Sequence, residues 1–409
     1  MKYLALFLVA ITTACAAPAK RIAAVVTEYR HNSHADVIVS RLLLTHTLDE
    51  KGERPNLKLV SLYTDQVPES DTSRKWAKKF GVPIFKTVEE TLTLGTGKLA
   101  VDGVLLIAEH GKYPKNASGN TIYPKRRLFD AVQKVFRKTG QTVPVFVDKH
   151  LADNWADAKW LHDTARELKV PLMAGSSLPV LWRYPPVDVK RGAKLKEIVA
   201  VSYHTLDAYG YHALEMVQCL VERRAGGETG VKRVRCLSGE AVWRAMDAGM
   251  FDRKLLDAAL KRLKNSPITR QPKRPLRELV KAPDMFVIEY RDGLRAFVLT
   301  LNGAVSEWGV AWKTAAGAQK STTFWTQEAR PYMHFTYLVK GTEKMFHTGK
   351  PTWPAERTLI TSALLDALLI SKSKNGAAVP TDYLDFKYTS KWNWKQPPPP
   401  PPGRPWNQQ

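Results

Sequence analysis

Acidic and histidine residues gather directly after the apolar runs of the N-terminal half. One group, Glu28, His31 and His34, follows the first run. Glu109 and His110 follow a later run, and Asp148, Lys149 and His150 follow another. A single aspartate, Asp65, follows a fourth run. Four of the chain's 10 histidines lie in these groups. Imidazole and carboxylate groups exchange protons near neutral pH, and together they also bind divalent metal ions. The pattern therefore predicts either acid–base catalysis or a metal site.

For a metal site, the candidate ligands are His31, His110 and His150, because nitrogen ligands from separate strands can surround one divalent ion. No contiguous H-E-x-x-H-type motif accompanies them. Polar residues are also common in the loops that follow strands, where they are simply solvated. We therefore expect proton transfer from this set first and a divalent metal second.

The apolar runs predict the framework that positions these residues. Runs rich in β-branched residues alternate with helical segments through the first half, and the clearest are 22–26, 57–62, 101–108 and 143–147. Such alternation predicts a doubly wound parallel sheet, a Rossmann-like domain over residues 18–180. Ligands bind outside the carboxyl ends of the strands in such sheets, which is where the acid and histidine groups lie.

The second half has a different pattern. Alternating or aromatic-rich runs between residues 285 and 325 are separated by hairpin signals such as Arg291-Asp292-Gly293 and Asn302-Gly303. Consecutive hairpins predict an antiparallel sheet, which a helix at 355–373 closes. The predicted fold class is therefore α/β. The parallel domain is followed by an α+β domain over residues 181–390 with an open, mainly antiparallel sheet, and a cleft lies between the domains.

The turn after the first strand lacks a feature that this type of fold normally carries. It runs from Thr27 to His34, and no glycine occurs between Lys20 and Lys51. A dinucleotide-binding turn normally has the pattern G-x-G-x-x-G, because glycine lets the pyrophosphate approach the backbone closely. A dinucleotide bound here would have to be held by Arg30 and the helix N-terminus instead.

The order of elements from about Arg21 to Tyr388 resembles the Gfo/Idh/MocA family of sugar and polyol oxidoreductases. That family has E-K-P at the end of its fifth strand, where this chain has Asp148-Lys149-His150. It has D-x-G-x-H at the first helix of the second domain, where this chain has Ala208-Tyr209-Gly210-Tyr211-His212. The resemblance implies that Lys149 contacts cofactor and substrate and that His212 gives or takes a proton at a sugar hydroxyl. We expect His212 to titrate near neutral pH.

The resemblance also implies an NAD(P) cofactor at the carboxyl ends of the strands. The residues placed to contact it are Glu28, Arg30, Asp65, Glu109 and Asp148. Because the glycine-rich turn is missing, a second function stays open: a cofactor-free or metal-dependent lyase, hydrolase or epimerase that acts on carbohydrate. A third is a non-catalytic glycan-binding protein.

The N-terminus predicts export to the periplasm or the medium. Residues 1–17 combine a basic start, a short apolar run and small residues around Cys15, as in a bacterial secretory signal, and a lipid anchor on Cys15 is the alternative. The apolar run is too short for a transmembrane segment. Cys219 and Cys236 then remain, either as a disulfide or as two buried thiols. At the other end, residues 391–409 predict a disordered, proline-rich tail.

The charge of the chain bears on its partners. A formal net charge of +23 attracts acidic surfaces such as polyanionic glycans. The basic residues are spread over several helices and no nucleic-acid-binding module accompanies them, so nucleic acid is not an expected partner. We expect a small-molecule or oligosaccharide substrate, and a homo-oligomer formed through the C-terminal sheet.

Overall fold

The computed structural model describes residues 17–400, so the predicted signal up to residue 16 and the last nine residues lie outside the described part. The first domain follows the predicted alternation of strand and helix. Its elements are β1 (Lys20–Val26), α1 (His34–Leu43), β2 (Leu57–Thr64), α2 (Ser73–Phe80), α3 (Val88–Thr93), β3 (Gly103–Ile107), α4 (Lys125–Thr139), β4 (Val145–Asp148), α5 (Trp155–Glu167) and β5 (Leu172–Gly175).

The five strands of this domain form one parallel sheet in the order β2-β1-β3-β4-β5. The sheet is buried on both faces: β1 is apolar throughout its second half, and β3 is buried at every position. The strand order reverses between β1 and β3, which is the point where doubly wound sheets bind their ligands. The predicted Rossmann-like domain and the predicted location of its crevice therefore agree with the topology.

The second domain contains the remaining elements. They are β6 (Trp182–Tyr184), β7 (Leu195–Ser202), α6 (Tyr211–Val221), β8 (Val231–Ser238), α7 (Glu240–Asp247), α8 (Arg253–Leu260), α9 (Pro267–Arg270), α10 (Leu276–Leu279), β9 (Asp284–Tyr290), β10 (Arg295–Thr300), β11 (Trp308–Thr314), β12 (Gln319–Trp325), α11 (His334–Thr348), α12 (Glu356–Ser373) and β13 (Val379–Pro380). Eight strands form a mixed sheet in the order β13-β8-β9-β10-β7-β11-β12-β6. Only the β10–β7 pair is parallel, so the sheet is mainly antiparallel, as predicted.

Both faces of this second sheet are covered within one chain. One face packs against α6 and α12. On the other face, Trp243 of α7 and Leu256 of α8 join a buried cluster with sheet residues such as Val201 and Phe297. The sequence analysis predicted a homo-oligomer through this sheet. Helices α7 and α8 pack on its outer face, and the oligomer stays a prediction.

Helix α11 is an element that the sequence analysis did not predict. It lies in the C-terminal half of the chain, but Leu338, Val339 and Phe346 belong to the same buried cluster as α1 and β1. The first domain is therefore completed by a helix from beyond the second sheet. No helix within residues 17–400 is both long and apolar enough to cross a membrane.

The start of the proline-rich tail is ordered, contrary to the prediction of disorder from residue 391. The Trp394 indole N–H donates to the Leu181 carbonyl at 2.8 Å, and the Arg183 backbone N–H donates to the Gln396 side chain at 3.0 Å. The Pro398 carbonyl accepts from the Trp182 indole at 3.0 Å. These contacts hold the tail against the second domain at least as far as Pro398.

Cys219 and Cys236 are both free thiols, and both are buried. Burial raises the pKa of each thiol to about 12. The alternative of two buried thiols is therefore the one found, while Cys15 lies outside the described residues.

Candidate active site

A cleft of about 340 Å³ lies at the carboxyl edge of the parallel sheet, between the two domains. Four histidines line it: His34, His110, His212 and His334. The first two follow strands of the first domain, the third begins α6, and the fourth begins α11. Lys149 and Glu109 line the same cleft, so the structure brings Lys149 and His212 together as the sequence predicted.

Glu109 is the centre of a buried charge cluster. Its carboxylate accepts hydrogen bonds from Lys125 Nζ at 2.9 Å and from Lys149 Nζ at 3.0 Å. Burial alone would raise the pKa of Glu109, but the charges of Lys125 and Lys149 outweigh it and hold the pKa well below its ordinary value. Lys149 is therefore fixed beside an ionised carboxylate at the wall of the cleft.

Lys125 is a member of this cluster that the sequence analysis missed. It lies at the start of α4 and is buried, and its Nζ also donates to the carbonyls of Asp148, Lys149 and His150. Burial lowers the pKa of Lys125, which the charge of Glu109 opposes. One buried ammonium group thus holds the loop after β4, in which the Lys149–His150 peptide is cis. A lysine next to two arginines looks like a solvated helix start, so nothing local indicates its role.

Glu28, Arg30 and His110 form a chain of hydrogen bonds that reaches the cleft at His110, while Glu28 and Arg30 do not line it. Arg30 Nε donates to Glu28 Oε1 at 2.6 Å, and Arg30 Nη2 donates to His110 Nδ1 at 3.2 Å. Because the guanidinium can only donate, His110 Nδ1 is the unprotonated nitrogen and Nε2 carries the proton. Burial lowers the pKa of His110 to about 3, so the ring stays neutral.

His212 enters the cleft at the first turn of α6. A Cβ at Gly210 would lie 3.0 Å from the Phe286 ring, so glycine allows this turn to pack closely against β9. Burial, helped by the charge of Lys149, lowers the pKa of His212 well below its ordinary value. The expectation that His212 titrates near neutral pH is therefore wrong, because the imidazole is taken out of water beside a cation. It is present as the neutral base.

Three further residues of the cleft come from the C-terminal part of the chain and were not among the predicted site residues. They are Trp308 on β11, Glu328 in the segment before α11, and His334 on α11. Burial raises the pKa of Glu328. Burial lowers the pKa of His334 to about 3, while a hydrogen bond to the backbone of Gln327 opposes the shift. Only packing of α11 onto the first domain brings His334 here, so no local signal could have revealed it.

The cleft collects buried polar atoms that have no hydrogen-bond partner in the described part of the chain. Four of its lining residues contribute one such atom each: His110 Nε2, His212 Nδ1, Trp308 Nε1 and His334 Nδ1. Buried polar atoms in folded proteins are nearly always paired with protein, water or ligand. The residues that carry these atoms line one cavity, which makes that cavity the candidate binding site for a polar molecule.

Two other predicted site residues, His31 and His150, do not line the cleft. His31 has a side chain that is 69% exposed and does not line the cleft. His150 Nε2 donates to the Asp207 carbonyl at 2.8 Å, and burial lowers its pKa to about 3. Residues 17–400 contain no group of three His, Cys, Asp or Glu side chains that could hold a metal ion. The expected site of His31, His110 and His150 does not form, because the three histidines face different surroundings.

Comparison with known proteins places the fold. No protein-family model and no curated protein matches the chain. A probable dehydrogenase from Thermotoga maritima has a similar structure, with a TM-score of 0.55 and 14% identity over 89% of this chain and 99% of that one. GenD2 from gentamicin A biosynthesis, solved with NAD, has a TM-score of 0.58 and 13% identity, and the match covers 90% of this chain and 97% of GenD2. A putative myo-inositol dehydrogenase from Sinorhizobium meliloti has a TM-score of 0.54 and 11% identity, and the match covers 88% of this chain and 99% of that one.

The chain has the fold of the Gfo/Idh/MocA dehydrogenases. In this dehydrogenase fold, the start of α1 is where the pyrophosphate of a dinucleotide would lie. Here Asp36 Oδ2 occupies that place: it accepts from the Asn32 backbone N–H at 2.9 Å and from Arg330 Nη1 at 2.6 Å. The Ser33 hydroxyl caps the Asp36 N–H at 3.3 Å. The Asp36 carboxylate thus takes one backbone amide at this turn and the Ser33 hydroxyl takes another.

The acid that would bind the ribose is also engaged. Asp65 follows β2 and accepts from Arg127 Nη2 at 2.7 Å, from the Tyr113 hydroxyl at 2.6 Å and from the Tyr63 hydroxyl at 2.9 Å. Burial would raise the pKa of Asp65, but these donors lower it below its ordinary value. The Asn32 amide and the Asp65 carboxylate are thus already bonded within the chain, so these two groups do not fit NAD(P).

Proposed function

We propose that the protein is an enzyme that moves protons on a small hydroxylated molecule, a carbohydrate or polyol, bound in the interdomain cleft without a dinucleotide. The observation that carries the proposal is that His110, His212, Trp308 and His334, each with one buried polar atom that lacks a hydrogen-bond partner, all line one cavity. Sugar hydroxyls each donate and accept hydrogen bonds, which is what such a mixed set of groups requires. The oxidoreductase-type fold of the neighbours supports the same class of substrate but not the same reaction.

Each group has a role that follows from its protonation. His110 Nε2–H and Trp308 Nε1–H are donors, because the other nitrogen of His110 accepts from Arg30 and an indole can only donate. His334 Nδ1 is an acceptor, because the other nitrogen of that ring bonds to the backbone of Gln327. His212 is neutral and can accept a hydrogen bond from a substrate hydroxyl, and Lys149 donates to a neighbouring oxygen.

The second candidate is hydride transfer with a nicotinamide. The dehydrogenase fold favours it, and GenD2 was solved with NAD. The Asp36–Arg330 pair at the start of α1 opposes it.

We further propose that the protein works outside the cytoplasm, on the strength of residues 1–17 alone. Intact-mass analysis of the protein from culture medium or periplasm tests this, because cleavage after residue 17 would shorten the chain.

Thermal denaturation with named probes tests the proposed function. The probes are NAD, NADP, myo-inositol, D-glucose and 2-keto-myo-inositol, each at 10 mM. A ligand at 100 times its Kd stabilises a protein by about 2.7 kcal/mol, so binding is readily seen. We expect a rise in Tm with at least one sugar or polyol and none with the dinucleotides. A clear rise with NAD or NADP would restore the oxidoreductase.

A pair of histidine variants assigns the stabilisation to the cleft. His212→Asn should reduce or abolish the rise in Tm. His204→Asn is the matched control, because His204 is exposed and does not line the cleft. Equal stabilisation of both variants would contradict a site at His212. Binding of every probe without any chemical change during a long NMR time course would favour a non-catalytic glycan-binding protein.

A further inference from the structure

His34 and Asp148 form a pair that neither the dehydrogenase fold nor the proposed roles of His212 and Lys149 explain. His34 is the first residue of α1 and lines the cleft, and its side chain is 16% exposed. Its Nδ1 lies 2.6 Å from Oδ2 of Asp148, the last residue of β4. The Asp148 carboxylate is fully buried. The helix and the strand therefore bring an imidazole and a buried carboxylate into a short hydrogen bond at the wall of the site.

This contact fixes which nitrogen of His34 is free. An ionised carboxylate can only accept, so Nδ1 carries the proton and donates it to Asp148. Nε2 is the ring nitrogen that is not bonded to Asp148, and it is the unprotonated nitrogen whenever the ring is neutral. Edge-on packing of the ring against His110 at 5.0 Å and Phe335 at 5.2 Å holds its orientation. An imidazole oriented by a carboxylate on one nitrogen and free on the other is the arrangement of a general base.

We propose that His34, positioned by Asp148, is a catalytic base that takes a proton from a substrate carbon next to a carbonyl group. The proposal rests on the proposed function and names the substrate class more narrowly, as a hydroxylated ketone or another carbonyl-bearing sugar derivative. Glu328, on the wall contributed by the segment before α11, is the acid that returns a proton.

The reaction balances without an oxidant or reductant. His34 Nε2 takes the proton from the carbon, and the electron pair of the C–H bond moves to the carbonyl oxygen, which becomes an enolate. The Lys149 ammonium stabilises that oxygen. The Glu328 carboxylic acid, which lines the same cleft, returns a proton to the same carbon, and the C–H bond forms again with inverted configuration when that proton arrives on the face opposite His34. Exchange with water restores the protonation of both residues.

The groups around His34 suit this assignment. Asp148 comes from β4, Glu109 and His110 follow β3, His212 begins α6 and His334 begins α11. Burial lowers the pKa of His110 and of His334 to about 3, so both rings are neutral. Burial also raises the pKa of Glu328, which favours the protonated form that an acid needs.

Proton exchange in D₂O tests the base directly. 2-Keto-myo-inositol is incubated with the full chain, and NMR follows both deuterium at the carbons next to the ketone and inversion there. We expect exchange with the wild type and a loss of about 10²–10⁴ in its rate with His34→Asn. His31→Asn is the matched control, since His31 lies three residues earlier and faces solvent. Glu328→Gln should keep the exchange and lose the inversion.

The histidine pair is also tested without substrate. In ¹⁵N-histidine NMR spectra, the signal lost in His34→Asn should show a protonated Nδ1 and an unprotonated Nε2. Asp148→Asn removes the charge and allows the ring to invert its tautomer, so this signal should change while that of His31 does not. If the His34–Asp148 contact were only structural, His34 Nε2 would not need to be unprotonated.

The outcomes separate this proposal from the proposed function. A probe that stabilises the wild type but shows no exchange, or equal exchange by the wild type and His34→Asn, overturns the base and leaves the binding site intact. An NMR signal that shows His34 protonated on Nε2, or a His34 signal that does not change in Asp148→Asn, overturns the proposed base whichever probe binds. Failure of every sugar to bind would instead refute the proposed function.

Discussion

Substitution of His46 should weaken the dependence of stability on pH. His46 follows α1, away from the cleft, and both of its ring nitrogens are buried without a hydrogen-bond partner in the described structure, although Nε2 lies 3.9 Å from Glu343 Oε2. Burial, helped by the charge of Lys340, lowers its pKa from 6.5 to about 4. Because the unfolded chain binds the proton more readily, the stability from a neutral His46 is complete above about pH 6.5 and is lost as the pH falls toward 4.

The magnitude follows from these two pKa values. At pH 5 an unfolded histidine with a pKa near 6.5 is almost fully protonated, whereas a folded one with a pKa near 4 is about one-tenth protonated. The difference corresponds to about 2 kcal/mol lost between pH 7.5 and pH 5. His46→Leu has no imidazole to protonate. Between pH 7.5 and pH 5 its free energy of unfolding should therefore fall by about 2 kcal/mol less than that of the wild type.

Urea denaturation at the two pH values, followed by circular dichroism and tryptophan fluorescence, measures this difference. Both variant and wild type share the other buried histidines, so their contributions cancel in the comparison. His31→Gln controls for loss of an exposed imidazole. If His46→Leu and the wild type lose the same free energy of unfolding between pH 7.5 and pH 5, the assignment of the depressed pKa to His46 is refuted.

Two further predictions concern the framework. Lys125→Met should lower the free energy of unfolding by about 3–5 kcal/mol in urea denaturation, because it leaves Glu109 with one buried cation fewer and frees three loop carbonyls; a loss below 1 kcal/mol would show that the cluster tolerates its absence. Cys219 and Cys236 should react with a thiol reagent only in denaturant, because both are buried and free; rapid reaction of the native protein would contradict this.

The sequence predicted the edge of the sheet at which the site lies, because that part of the argument is local. An apolar run such as 101–108 ends where polar residues begin, so Glu109 and His110 had to follow a strand. The carboxyl ends of parallel strands share one edge, which brings Asp148 and Lys149 to the same place. Which of these side chains pair was not predictable, because it depends on rotamers and burial.

What the sequence did not predict depends on contacts over long separations. His334 reaches the cleft because α11 packs on α1, nearly 300 residues earlier in the chain. The segment of α11 mixes aromatic and β-branched residues around Gly341, so its pattern does not favour one secondary structure. The neutral state of His212 and the engagement of Asp65 likewise follow from surroundings that spacing in the sequence does not record.

The ordered tail limits the size of the molecule that the protein can accept. The Pro398 carbonyl accepts from both Trp182 on β6 and Tyr337 on α11, so it ties an edge strand of the second domain to a helix that completes the first. A joint fastened in this way does not hinge open easily. The cleft volume of about 340 Å³ is near the lower end for small-molecule sites, so we expect the proposed substrate to be a single sugar ring and not a longer glycan.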